Sequence, residues 1–95
     1  MNVFIVGGGK VGVQLATLLY AGGHVTTVIE QRAEHVAEAQ RLAPDVPILM
    51  GSGTDPDFLE RLGVRQAQVL AAVTGSDETN LAATCLARFE FRVPR

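Results

Sequence analysis

Apolar and polar positions along this chain fall into two alternating regimes, short unbroken apolar runs and longer stretches at helical spacing. Asn2 to Val6 is an apolar run, as expected of a strand covered on both faces. Lys10 to Tyr20 carries Val11, Leu15, Leu18 and Leu19 at the spacing of a helix, and Gly22-Gly23 offers a left-handed stop. His24 to Ile29, rich in valine and threonine, predicts a second strand closed by Glu30. From Arg32 to Leu42 charged and small apolar residues alternate helically, which predicts a more exposed helix that Pro44 prevents from continuing. A short third strand is expected over Val46 to Met50, then a helix opened by Asp55-Pro56-Asp57, capped by Asp55 or Thr54 and left through Gly63. Val69 to Val73 predicts a fourth strand. Ser76 is placed to cap a last helix running to about Phe89, with Asp77 and Glu78 set against its positive end.

Strands alternating with helices predict parallel β-α-β units. With right-handed crossovers and the usual order the four strands lie 3-2-1-4, an α/β, Rossmann-like doubly wound parallel sheet in a single domain over residues 1–95. The turns at Gly7 to Lys10, Glu30 to Arg32, Gly51 to Thr54 and Thr74-Gly75 then open at one carboxyl edge, around one cleft. A complete fold of this kind usually has more strands. Phe91 to Arg95 trails off where another is expected, so the fold reads as truncated after the fourth helix, its fourth strand an open edge.

The first turn carries the sharpest chemistry. Gly7-Gly8-Gly9-Lys10-Val11-Gly12 is a Gly-x-Gly-x-x-Gly sequence that follows a predicted strand and opens a predicted helix. Gly7 supplies the tight turn, Gly9 lets backbone approach a pyrophosphate, and Gly12 lets the helix lie close to the strand. Unpaired N–H groups at the helix start then face the anion. Glu30 follows about eighteen residues beyond Gly12, near the spacing of a dinucleotide-binding unit.

Charge and cysteine usage narrow the classes of partner. A net charge of −2 leaves no electrostatic footprint for nucleic acid or an anionic membrane, and 47% apolar residues argue against disorder. No apolar stretch approaches the roughly twenty residues of a membrane span, and Val3 to Val6 is too short for a signal-peptide core, so a cytoplasmic domain is expected. The single cysteine, Cys85, shares an apolar helical face with Leu81, Ala82 and Leu86, which predicts a packed core thiol.

Glu30 reads either as the acceptor for two ribose hydroxyls or as a solvated strand-end acid, and the upstream glycines favour the ribose. A carboxylate there repels a 2′-phosphate, favouring NAD over NADP, although Arg32 would soften that repulsion. Lys10 is expected to pair with a phosphate oxygen, since a cation in the first turn of a helix otherwise sits against the dipole. Ser52 and Gly53 are placed for the adenine edge, and Thr74 and Gly75 for the ribose or pyrophosphate, though all four also suit ordinary loops. His24 and His35 are expected at the surface. No Ser/His/Asp set, metal-ligand spacing or paired acid is present.

Val3 to Gly12, Gly23 to Glu30, Gly51 to Pro56 and above all Ala72-Val73-Thr74-Gly75-Ser76-Asp77-Glu78-Thr79-Asn80-Leu81 resemble the TrkA-N family, the nucleotide-binding regulator-of-potassium-conductance (RCK, or KTN) domains. The resemblance covers essentially the whole chain. It implies a cytoplasmic, non-catalytic regulatory domain of a potassium transporter or channel, peripheral to the inner membrane through a membrane-embedded transporter subunit. It also implies a bound NAD(H) or adenine nucleotide (ATP, ADP or AMP) that biases the conformation of a dimer or larger ring. By position it assigns the phosphate turn to Gly7, Gly8, Gly9, Lys10, Val11 and Gly12, the ribose to Glu30 with Gln31 adjacent, the adenine side to Ser52 and Gly53, and further contacts to Thr74 and Gly75. Two positions depart from the family: Ser52 stands where aspartate is common, and Lys10 where arginine is frequent. Two alternatives stay open, an NAD-binding fragment of a dehydrogenase, and a dimerising Rossmann-like domain without tight ligand binding.

Overall fold

Five residues, Asn2–Val6, form strand β1 at the centre of the structure, a computed structural model that describes all 95 residues. Its alternate side chains feed two separate cores: Val3 and Ile5 point to one face of the sheet, Phe4 and Val6 to the other, and all four are buried. That is why the run is continuously apolar. Helix α1 (Lys10–Ala21) and helix α2 (Ala33–Leu42) cover the Val3 and Ile5 face, burying Val13, Ala16 and Ala39 there. Helix α3 (Pro56–Leu62) and helix α4 (Asp77–Cys85) cover the other, where Leu59, Ala83 and Ala87 pack on Phe4 and Val6.

The four parallel strands lie in the order β3-β2-β1-β4, as the alternation predicts. Strand β2 (Val25–Glu30) pairs with β1 from Asn2 opposite Val25 to Val6 opposite Ile29, and β4 (Val69–Ala72) pairs on the other side with Val6 opposite Ala72. Strand β3 (Ile48–Met50) sets Met50 opposite Glu30. This register brings all four carboxyl ends level. Pro47 has no N–H to donate, so β3 starts two residues later than expected, although the Pro47 carbonyl still accepts from the Val28 N–H at 2.9 Å.

Helix ends follow the punctuation closely. Gly23, at φ +88°, takes the left-handed position after α1, and Gly63, at φ +81°, takes it after α3. Asp55 caps α3 by accepting the Asp57 and Phe58 N–H groups, and Ser76 caps α4 by accepting that of Thr79. A single turn of 3-10 helix, Val64–Gln66, then leads into β4.

Two expectations for the C-terminal part are overturned. Cys85 is exposed rather than packed: α4 turns Ala83 and Ala87 to the core, and Leu81, Cys85 and Phe89 form an outward stripe on the opposite side. Both stripes of the helix are apolar, and only the alanines are small enough to let its backbone approach the sheet closely. Beyond Cys85 the helix widens into a π-helical turn, Leu86–Glu90, and the tail then folds back, burying Phe91 and Val93. The outer edge of β4 is therefore not fully open, because the Leu70 N–H donates to the Arg95 carbonyl at 2.7 Å. Arg65 holds this return in place. Its guanidinium grips the Glu60 carboxylate, donates to the Glu90 carbonyl at 3.1 Å and lies 5.0 Å from the centre of the Phe91 ring. Hydrogen bonds from Arg65 hold the Glu60 carboxyl below the usual carboxylate range.

The tightest approach in the fold is at Gly12, where a side-chain Cβ would overlap the carbonyl group of Gly7. Gly12→Ala is expected to destabilise the domain by about 3 kcal/mol or more, the upper range for overpacking, measured by urea denaturation. Gly9→Ala, whose Cβ meets no atom within 4 Å, is expected to leave the unfolding midpoint nearly unchanged.

Candidate functional site

Because the strands end level, the turns after β1, β2, β3 and β4 converge on one cleft of about 330 Å³ at the carboxyl edge of the sheet. That is the small end of the roughly 300–1,000 Å³ usual for small-molecule sites. Gly7 adopts φ +122°, a conformation open to glycine, and its N–H donates to the Ile29 carbonyl at 2.8 Å. This bond extends the β1–β2 pairing into the turn and aims the next residues at the cleft.

Helix α1 opens at Gly9 with no side-chain cap and no acid in its first turn. The other helices end differently: α3 and α4 have capping side chains and acids at their starts, and α2 has Glu34 in its first turn. The leading N–H groups of α1 have no acceptor within the helix, and the space beside Gly9 is empty of protein atoms within 4 Å of a Cβ position. An uncapped helix start facing a polar cleft is a receptive place for an anion.

Glu30 closes the opposite wall. Only 9% exposed, its carboxylate accepts the Gly8 N–H on Oε1 at 2.8 Å and the Arg32 N–H on Oε2 at 2.9 Å. It thereby pins the glycine turn to the end of β2 and also fixes the chain entering α2. Each carboxylate oxygen has a second lone pair, so acceptor capacity remains toward the cleft. His35 Nδ1 lies 3.8 Å from Oε2.

The third wall is the turn after β4, and Asn80 builds it. Asn80 Oδ1 accepts from the Thr74 N–H at 3.0 Å and from the Thr74 hydroxyl at 2.6 Å, while its Nδ2 donates to the Thr74 carbonyl at 3.1 Å. Three bonds to one residue hold Thr74 and Gly75 against the cleft. Sequence reasoning assigned no role to Asn80; the signal was a side-chain amide one turn into a helix whose preceding loop has threonine and serine.

Of the residues singled out from sequence, Gly7, Gly9, Glu30, Gln31, Gly53, Thr74 and Gly75 line the cleft together. Gly8, Lys10, Val11, Gly12 and Ser52 do not. Gly8 faces Glu30, Gly12 is buried under the Gly7 carbonyl, and Lys10 and Val11 are exposed on α1. Ser52 is turned into its own loop, its hydroxyl 2.9 Å from that of Thr54 and accepting the Thr54 N–H at 3.1 Å. Arg32 and Gly51, in turns expected at the cleft, join the lining, and His35, Ser76 and Thr79 join it unforeseen. His35, expected in solvent, is brought in by the first turn of α2, which starts directly behind Glu30 and carries its side chain back over the strand end. No group of three or more His, Cys, Asp or Glu side chains is placed to hold a metal ion. No helix is long and apolar enough to cross a membrane.

The TrkA-N domain pattern matches residues 3–95. This chain belongs to the TrkA-N family. It is 41% identical over its whole length to the Trk system potassium uptake protein TrkA homolog of Methanothermobacter thermautotrophicus, covering 43% of that protein. It is 35% identical over 94 residues to the Trk system potassium uptake protein TrkA of Vibrio alginolyticus, covering 20% of it. With the TrkA of Mycobacterium tuberculosis the identity is 33% over 95 residues, 42% of that protein. The TrkA-N chain thus spans less than half the length of these relatives.

The double engagement of Glu30 gives it a structural weight that can be measured without ligand. Glu30→Ala leaves the Gly8 and Arg32 N–H groups without their acceptor and is expected to cost about 2–4 kcal/mol in denaturant unfolding. Glu30→Gln keeps one carbonyl oxygen for one of these N–H groups but turns an NH2 toward the other, and is expected to lose about half of that or more.

Proposed function

We propose that this domain binds an adenine nucleotide, NAD(H) or ATP, ADP or AMP, and that occupancy regulates a potassium uptake transporter or channel without catalysis. The observation that carries this reading is the uncapped start of α1 opening beside Gly9 into a cleft whose far wall is Glu30. The nucleotide phosphates rest on the N–H groups from Gly9 to Gly12, with Lys10 free to swing toward them as a point charge. The ribose lies toward Glu30 and Gln31, and the base toward Gly51 and Gly53 with Ser52 behind them. Thr74 and Gly75, held by Asn80, close over the sugar and phosphates.

Regulation then follows from differential affinity. The cleft walls come from four separate turns, so a ligand touching all of them favours one relative placement over others, and a ligand shifts such an equilibrium only by that difference. The names of the relatives support a potassium uptake system as the setting. In that setting the chain is a single nucleotide-binding domain of a cytoplasmic component. It assembles as a dimer or larger ring and reaches the inner membrane through a transporter subunit.

Calorimetry of the 95-residue chain with NAD+, NADH, ATP, ADP and AMP is expected to give saturable binding in the micromolar to millimolar range for at least one of them. No heat with any at millimolar concentration overturns the proposal. Gly9→Val fills the empty space at the head of α1 and is expected to weaken that binding by about ten-fold or more, while the thermal midpoint shifts little. Unchanged affinity in this variant would place the phosphates elsewhere.

A further inference from the structure

At the ribose end of the cleft one carboxylate stands with one guanidinium and one imidazole. Glu30 is the one carboxylate among the lining residues, and Arg32 and His35 follow it in the chain's path into α2. Arg32 forms no ion pair, in contrast to Arg41 and Arg65, which are matched to Glu38 and Glu60. Its backbone N–H is committed to Glu30, which fixes where the residue starts, while its side chain is exposed and lines the cleft. His35 is 42% exposed, and its Nε2 has no partner in the structure.

A free carboxylate at the tip of the second strand normally reads out unmodified ribose by accepting from both hydroxyls and repelling a phosphate. Here Glu30 is drawn back. Two backbone N–H groups, at 2.8 and 2.9 Å, hold it 9% exposed against the glycine turn, and these dipoles offset part of its charge. Helix α2 also begins at this point, with no side-chain cap at Arg32. Its Glu34 is not among the residues that line the cleft.

We propose that Arg32 and His35 form a subsite for a phosphate on the adenosine ribose, so that the cleft accepts NADP(H) as well as NAD(H). The guanidinium supplies a planar fork that matches two phosphate oxygens, and His35 supplies a second donor from the first turn of the helix. The subsite rests on the nucleotide reading given above and assigns its specificity. It goes beyond the expectation that Glu30 favours NAD over NADP with Arg32 softening the repulsion.

The test compares NAD+ and NADP+ by calorimetry on the full chain and on Arg32→Ala and His35→Gln. For the unaltered chain NADP+ is expected to bind within about ten-fold of NAD+. Arg32→Ala should weaken NADP+ by about ten-fold or more and NAD+ by less than about three-fold, with His35→Gln acting in the same direction by a smaller factor. Arg32 is exposed and His35 half-buried, and circular dichroism would verify that each variant is folded. An NADP+ affinity more than ten-fold below that of NAD+, or equal losses for both ligands in Arg32→Ala, overturns the subsite while leaving the nucleotide reading intact. Failure of NAD+ and of every adenine nucleotide to bind would instead remove the reading on which the subsite rests.

Discussion

The contact between the Gly12 backbone and the Gly7 carbonyl sets the geometry on which everything else in this domain depends. With no Cβ between them, the first turn of α1 settles directly on the loop that leaves β1. The helix axis is thereby aimed so that its N-terminus opens at the carboxyl edge of the sheet. A methyl group at Gly12 would lift the helix, and its unpaired N–H groups would no longer face the cleft. The open helix start at the cleft is therefore a product of helix packing more than of any side chain.

Glu30 links that packing to the rest of the site. One carboxylate accepts from the glycine turn and from the head of α2, so these two walls of the cleft are mechanically joined through a single nearly buried group. Two charge-assisted hydrogen bonds to backbone N–H groups give such a carboxylate a structural role even in the absence of ligand. The same bonds draw it back against the glycine turn, with Arg32 and His35 beside it in the lining of the cleft. On the other wall the amide of Asn80 performs a comparable task for Thr74 and Gly75, with three bonds in place of two.

The far side of the sheet shows how small residues decide which surface a helix buries. In α4 and the π-helical turn that continues it the alanines at 83 and 87 face the sheet, and the larger Leu81 and Phe89 are left at 66% and 77% exposure. Close approach of the helix lets Phe91 and Val93 fill the space beyond its end, and Arg65 ties that return to α3 through Glu60. Burial of this tail completes the core beneath β4 and keeps the Thr74 turn on a firm base.

Much of this architecture is local information. Continuous apolar runs mark strands covered on both faces, glycine and proline stand where the helices stop, and Asp55 and Ser76 cap as their positions suggest, because each of these effects acts within a few residues. The strand order follows from connection length and handedness, and the glycine spacing marks the tight turn between β1 and α1. What the sequence could not decide was which of two apolar stripes on α4 turns inward, since both satisfy the same periodicity and only contact with β4 discriminates between them. Nor could it reveal that Glu30 is held by Gly8, twenty-two residues away, or that His35 and Asn80 serve the cleft. Those assignments depend on side-chain directions at the ends of four strands brought level by the register of the sheet, a distance relation between residues far apart in the chain that no local pattern encodes.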